Sequence, residues 1–195
     1  MENLLPGENV IWTSDPKIEI KREIKDKIEP TTVNDILHLS AIRYKDSVAF
    51  NYIKNSISCD KTWREFYSDI KKFARNLIFL GLEEYHSVMI QGFNSYEWAV
   101  SHFATIMAGG LSSGVYTTNS SKICNYMVED CDAQIIIVED FKQLNKYRTY
   151  VDKLKYKVKC FIVWNSIKLD EFWSNSPIPI HNWWEVLNNN EKYTG

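Results

Sequence analysis

The sequence predicts an α/β fold: a layered, mostly parallel sheet with helices on both faces, preceded by a small hairpin. Three observations carry this. From residue 87 onward, short apolar runs alternate with amphipathic stretches of about a dozen residues, the pattern of βαβ units. The stretch AQIIIVED (133–140) has an unbroken apolar centre, as a strand covered on both faces requires. Glycines close two amphipathic stretches, Gly81 and Gly109-Gly110, where helices commonly end in a left-handed residue.

In chain order, residues 1–30 read as a polar arm. Ile18, Ile20, Ile24 and Ile28 are the apolar points in a run of alternating charge, and Pro30 ends it. Thr31-Thr32 starts a helix over 33–44 whose buried side is Val33, Ile36, Leu37 and Ile42. Strands at 47–53 and 56–62 form a hairpin about Lys54-Asn55. A long helix over 63–81 repeats Trp63, Phe66, Ile70, Phe73, Leu77 and Leu80 at helical spacing, which marks them as core. Then come a strand (87–91), a helix (95–108), a strand (111–118), a helix (120–131), a strand (133–140), a helix (141–155) and a strand (159–165). Together these make one α/β unit over 31–173. Residues 174–195 read as an irregular tail, within which His181 to Glu185 has the pattern of a strand end running into a short helix. The last residues, Tyr193-Thr194-Gly195, bring no closing element. The expectation is therefore an N-terminal segment of a longer chain, with apolar surface left uncovered and a tendency to self-associate.

Composition narrows the function. The chain has 195 residues, 45% hydrophobic and 25% charged, as expected of a soluble globular protein. A net charge of −2 supplies no concentrated basic surface, so nucleic acid is excluded as a partner. The four cysteines, Cys59, Cys124, Cys131 and Cys160, form no C-x-x-C pair and have no spaced histidines beside them. Free thiols in a cytosolic compartment are expected, and no metal site. The start is too short and polar for a signal peptide, and no apolar run is long enough to span a bilayer. The expected location is cytoplasmic, with peripheral attachment to an intracellular membrane as the alternative. His102, between apolar neighbours, reads as a packed histidine; His86, after Glu83-Glu84, as half of a surface ion pair; Asp130 and Asp132 as a solvated turn.

The stretch VMIQGFNSYEW (88–98) admits two readings. Gly92 permits a tight bend, and Asn94 caps the next helix while Glu97 reaches back to it, a capping box. Alternatively it is a ligand edge. In open parallel sheets ligands bind beyond the carboxyl ends of strands, and Gly114 to Thr118 is the next such end. Exposed amides at a helix start favour an anionic or carbonyl-bearing ligand. Neither G-x-G-x-x-G nor a P-loop motif is present.

His86-Ser87-Val88, Gly92-Phe93-Asn94-Ser95, Glu97-Trp98, Ala108-Gly109-Gly110, Gly114, Tyr116-Thr117-Thr118 and the stretch from Asp140 to Lys146 resemble long-chain acyl-CoA synthetases, most nearly the bubblegum type. The resemblance covers about residues 30 to 150, including Pro30-Thr31-Thr32-Val33. It implies an adenylate-forming enzyme that activates a fatty acid with ATP and Mg²⁺ and passes the acyl group to coenzyme A. The chain would then be the first part of that enzyme's large domain. The family's Y-T-S-G-T-T-G phosphate loop is missing, as are its adenine and ribose motifs, its magnesium-holding carboxylate and its lysine-bearing lid. No catalytic or metal-binding residue is therefore expected on this chain, and alone it should be inactive. The resemblance places Gly92, Phe93 and Asn94 beside the coenzyme A channel, with Tyr116 and Thr117 facing the same cleft; core packing is the competing reading for Tyr116. The alternatives are a free-standing α/β module that binds a nucleotide or acyl carrier, and an interaction module built on Trp173, Trp183 and Trp184.

Overall fold

The computed structural model describes residues 31–54 and 57–188; the polar arm expected over 1–30 and the hairpin turn at Asn55 lie outside them. Helix α1 (Val33–Arg43) leads into an antiparallel hairpin, β1 (Val48–Lys54) and β2 (Ile57–Thr62), and then α2 (Trp63–Phe79). The main sheet follows as β3 (Ser87–Gln91), α3 (Tyr96–Met107), β4 (Leu111–Val115), α4 (Ser121–Asp130) and β5 (Ala133–Val138). After β5 come α5 (Phe141–Leu144), a 3-10 stretch (Asn145–Tyr150), α6 (Val151–Leu154) and β6 (Cys160–Val163). The described chain closes with α7 (Glu171–Ser174), β7 (Ile180–Asn182) and α8 (Trp183–Asn188).

The five strands lie in the order β4-β3-β5-β6-β7, every neighbouring pair parallel. Strand alternation sorts their side chains between two cores. Val88, Ile90, Ile135, Ile137 and Ile162 pack beneath α2, α3 and α8. Met89, Val115, Ile136, Val138 and Phe161 pack beneath α4, the 3-10 stretch, α6 and α7. This is the layered sheet that the apolar strands required.

Several expectations are corrected. The irregular tail does not hold over its described part. Strand β7 extends the sheet, and Trp183 is fully buried, stacked on Phe73 at 4.9 Å and donating its indole N–H to Ser101 Oγ at 2.8 Å. The strand-to-helix reading of 181–185 matches β7 and α8. Helix α1, packed against α2 and α3, buries Leu37 but leaves Val33, Ile36 and Ile42 exposed. Exposed apolar side chains are found here and also on the hairpin, at the end of α2 and at Leu111 on the edge strand β4. The single helix expected over 141–155 is three short pieces. Asn145, a weak helix former, directs its side-chain oxygen to the Trp173 indole at 3.4 Å. No helix among the described residues is long and apolar enough to cross a membrane.

A capping box does occur, at the start of α2. Thr62 Oγ1 accepts from the Glu65 amide at 3.3 Å, and Glu65 Oε2 accepts from the Thr62 amide at 2.8 Å. The Thr62 amide, then its hydroxyl, holds the Glu65 carboxyl below the usual carboxylate range. Further along α2, buried Asp69 accepts from Tyr96 Oη at 2.7 Å and from Lys61 Nζ at 3.0 Å. Burial works against the charge of Lys61, yet the bond to Asp69 holds its pKa above the usual lysine range. Tyr96 stacks on Tyr52 at 4.9 Å and packs against Phe50 and Phe66, so the hairpin, α2 and the start of α3 meet at one buried ring. Burial, then the bond to Asp69, raises the Tyr96 hydroxyl far above its ordinary value.

Removing Asp69 strands a cation and a hydroxyl in that core. Asp69→Ala should cost about 3 kcal/mol, the lower end for a broken buried pair, because Lys61 keeps a path to water. Urea unfolding measures it; a loss under about 1 kcal/mol would mean the cluster contributes little beyond what water supplies to its members.

Candidate functional site

The strand order creates the site. The chain leaving β3 continues to β4 on one side, and the chain leaving β5 continues to β6 on the other, so a crevice opens between the carboxyl ends of β3 and β5. The loop from Gly92 to Ser95 and the residue after β5, Glu139, sit there. They are laced together: the Phe93 amide donates to Glu139 Oε2 at 2.9 Å, and the Glu139 amide donates to the Gln91 carbonyl at 2.9 Å. Glycine at position 92 answers to packing, since an added Cβ would come within 2.2 Å of the Trp164 ring and 2.8 Å of Glu139 Cβ.

Asn94 is not the helix cap. Ser95 is: its backbone is extended at φ −152° and ψ 170°, and its hydroxyl accepts from the Trp98 amide at 3.1 Å. The helix starts one residue later than the sequence pattern implied, so Glu97 falls at the second helical position and Trp98 at the third. The capping box expected for Asn94 and Glu97 cannot form. Asn94 is left exposed at the rim.

All five residues expected near a ligand, Gly92, Phe93, Asn94, Tyr116 and Thr117, line one groove of about 600 Å³, together with Trp98, Gly114 and Val115. Phe93 and Tyr116 are 69% and 80% exposed, so the core-packing reading of Tyr116 is corrected. An added Cβ at Gly114 would meet nothing closer than Trp98 Cζ2 at 3.6 Å, so the groove has bare backbone on this side. Trp98 stacks on His102 at 5.3 Å, and His102 Nδ1 shares a hydrogen bond of 2.9 Å with Ser112 Oγ. Burial lowers the His102 pKa and keeps the ring neutral, as a packed histidine should be. His86 Nε2 lies 3.2 Å from a carboxylate oxygen of Asp132, at the surface.

The groove's chemistry is selective. The Glu139 carboxylate occupies the Phe93 amide and the Ser95 hydroxyl the Trp98 amide, so two of the amides at this corner already have partners. An uncharged, flexible chain carrying amides between apolar segments suits the aromatic walls and bare backbone. A hollow of about 490 Å³ adjoins the groove through Phe93 and Thr117 and contains Lys142 and Lys146 opposite Glu139 and Asp140. A cleft of about 930 Å³, containing Tyr52, Glu97 and Trp164, opens on the far side of the loop. Among the described residues no group of three potential metal ligands occurs, and all four cysteines are free thiols. Sequence reasoning missed Gln91, Glu139, Lys146 and Trp164. The available signal was a glutamine closing an otherwise apolar strand and an acidic pair, Glu139-Asp140, directly after β5.

Fold and site together define a doubly wound α/β domain with a 2-1-3-4-5 sheet, whose groove lies between the carboxyl ends of β3 and β4 beside the switch point. A model of the AMP-binding enzyme family matches residues 37–180, and the chain belongs to that family. It is 34% identical over 160 residues to the long-chain-fatty-acid–CoA ligase ACSBG2 of Xenopus laevis, covering 80% of this chain and 22% of the relative. Against ACSBG1 of Homo sapiens it is 33% identical over 141 residues, 71% of this chain and 20% of the relative. The chain thus spans about a fifth of the length of these curated relatives. The fold is similar to that of the anthranilate CoA ligase AuaEII in complex with anthranoyl-AMP, with TM-score 0.67 and 17% identity over 80% of this chain and 27% of the other. A putative long-chain-fatty-acid CoA ligase from Rhodopseudomonas palustris gives TM-score 0.63 and 15% identity, over 82% and 37%.

Four variants test the corner. Ser95→Ala should lose about 0.5–2 kcal/mol, as an N-cap does, while Asn94→Ala stays near wild type. Gly92→Ala should lose about 1–3 kcal/mol through overpacking, with partial recovery in a Trp164→Leu background. Chemical unfolding of the four variants decides both; a larger loss at Asn94 than at Ser95 would return the cap to Asn94.

Proposed function

We propose that the chain is the N-terminal segment of a long-chain fatty acid–CoA ligase and that its groove receives the pantetheine arm of coenzyme A. The observation that carries the site is the convergence of Gly92, Phe93, Asn94, Tyr116 and Thr117 on one groove, with the Phe93 amide already taken by Glu139. Pantetheine is a flexible uncharged chain with two amides, which matches apolar walls interrupted by bare backbone. Lys142 and Lys146 offer positive charge for the phosphate-bearing half, moderated by Glu139 and Asp140. The names of the relatives support the parent activity.

In that activity a carboxylate oxygen of the fatty acid attacks the α-phosphorus of ATP, and pyrophosphate leaves. The coenzyme A sulfur then attacks the acyl carbon, and AMP leaves with the electron pair of the broken carbon–oxygen bond. Mg²⁺ would neutralise developing phosphate charge. The adenylation step is a property of the parent enzyme, whose curated relatives this chain matches over about a fifth of their length. What these residues do is bind and orient: Phe93 and Tyr116 wall the arm, and Trp98, backed by His102, closes the side.

Titration of the ¹⁵N-labelled chain with pantetheine, followed by amide chemical shifts, tests this. Shifts should cluster on Gly92, Phe93, Trp98 and Gly114 to Thr117. Gly114→Val, which fills the groove from its bare side, should abolish them with the melting temperature little changed. Binding unaffected by Gly114→Val would rule out the groove. Incubated with ATP, Mg²⁺ and palmitate, the chain by itself should release no pyrophosphate above background.

A further inference from the structure

Gln91 is the last residue of β3, fully buried at the end of an otherwise apolar strand. It is a polar side chain in a dry place, and all its main bonding capacity is used. Its Nε2 donates to the Tyr116 carbonyl at 3.1 Å and to Cys124 Sγ at 3.2 Å, and its Oε1 accepts from Tyr147 Oη at 2.8 Å. The three partners belong to three elements: the segment after β4, helix α4 and the 3-10 stretch. Gln91 directly precedes one wall of the groove, Gly92 to Asn94, and its amide reaches the backbone of the other, Tyr116.

We infer that Gln91 is a positioning residue that staples the two walls of the groove together and so sets its width. Ladder bonds between β3 and β4 end at Gln91 and Val115, so beyond them the sheet no longer fixes the separation of the two chains. The Gln91 amide continues the ladder by one more bond, from a side chain. Lys146 Nζ holds the neighbouring carbonyl, that of Thr117, which keeps the second wall in register from the far side. A strand-ending leucine would pack there but leave the Tyr116 carbonyl and the Tyr147 hydroxyl without this partner, and buried polar groups tolerate that poorly. The consequence for coenzyme A rests on the proposed function; the staple itself does not.

The reporter is the Asn119 amide, which donates to the same Tyr116 carbonyl at 3.1 Å. Hydrogen-exchange protection, corrected for intrinsic rates, is measured there and at β5 in the intact chain. Gln91→Leu should lower Asn119 protection at least about tenfold, the factor one buried hydrogen bond carries, with β5 protection falling less. Tyr147→Phe, which removes a single oxygen, serves where the leucine variant fails to fold and should lower Asn119 protection severalfold. Gln91→Glu separates a staple from mere packing. As a neutral acid it can still donate to Tyr116 and accept from Tyr147; ionised, it can only accept. Burial raises its pKa, so protection should be near wild type at low pH and fall as pH rises through that value. The titratable groups facing the position are Cys124 and Tyr147, with Cys131 just after α4, Lys146 beyond Thr117 and Glu139 across the loop. Burial raises the Tyr147 hydroxyl well above its usual value, so it stays neutral. A flat pH profile in the glutamate variant, or unchanged Asn119 protection in the others, would overturn the inference. Pantetheine titration of the same variants reads the function separately. Wild type that fails to bind defeats the coenzyme A reading and leaves the staple standing on exchange alone. If wild type binds, Gln91→Glu should bind at low pH and weaken as pH rises.

Discussion

Strand β3 has neighbours on both sides, and that placement governs the rest of the molecule. A parallel strand between two others has no free edge, so its side chains face two cores and its chain can leave only at its carboxyl end. Because β4 and β5 were added to opposite sides, the exits from β3 and β5 diverge there and leave a crevice. The crevice is lined by chain ends and by the few polar groups that β3 and β5 deliver to it. The cleft beyond the loop and the hydrogen bond from Phe93 to Glu139 follow from this arrangement, and the groove lies next to it, between the ends of β3 and β4.

Two buried polar centres hold the crevice's surroundings. Asp69 binds the hairpin, through Lys61, to the first residue of α3, Tyr96. Gln91 binds the end of β3 to the segment after β4 and to the 3-10 stretch. Both are expensive residues to bury and are tolerable because their partners are in place. The loop from Gly92 to Ser95 lies between them. It is fixed at one end by Gln91, at the other by Tyr96, and from above by Trp164 and Glu139. A loop so held is pre-organised, which lowers the ordering cost of any ligand that settles against it.

Membership in the AMP-binding family gives these details a setting. The chain spans about a fifth of its curated relatives, and its fold is similar to part of several solved ligases at identities near 15%. The exposed apolar side of α1 and the open edge of β4 are surfaces that the sheet's own covering helices do not reach.

The sequence by itself determined the alternation of strands and helices, the long helix over 63–81 and the parallel sheet, because apolar periodicity reports which faces are buried. Residues Ala133 to Val138 could be little else than a strand buried on both sides. The recognisable run GFNSYEW, followed by AGG and GVYTT, also brought the five groove residues to notice. Tertiary structure decided what periodicity does not encode. It chose Ser95 over Asn94 as the cap, since both residue types cap helices and only the backbone's path selects one. It left Ile36 and Ile42 exposed, since a helical stripe states which face is apolar but not what stands opposite. It drew residues 180–188 into the sheet and core, and it brought Trp164 against Gly92 and Gln91 against Tyr116. These contacts join residues tens of positions apart, and strand order, which local sequence does not fix, is what places them together.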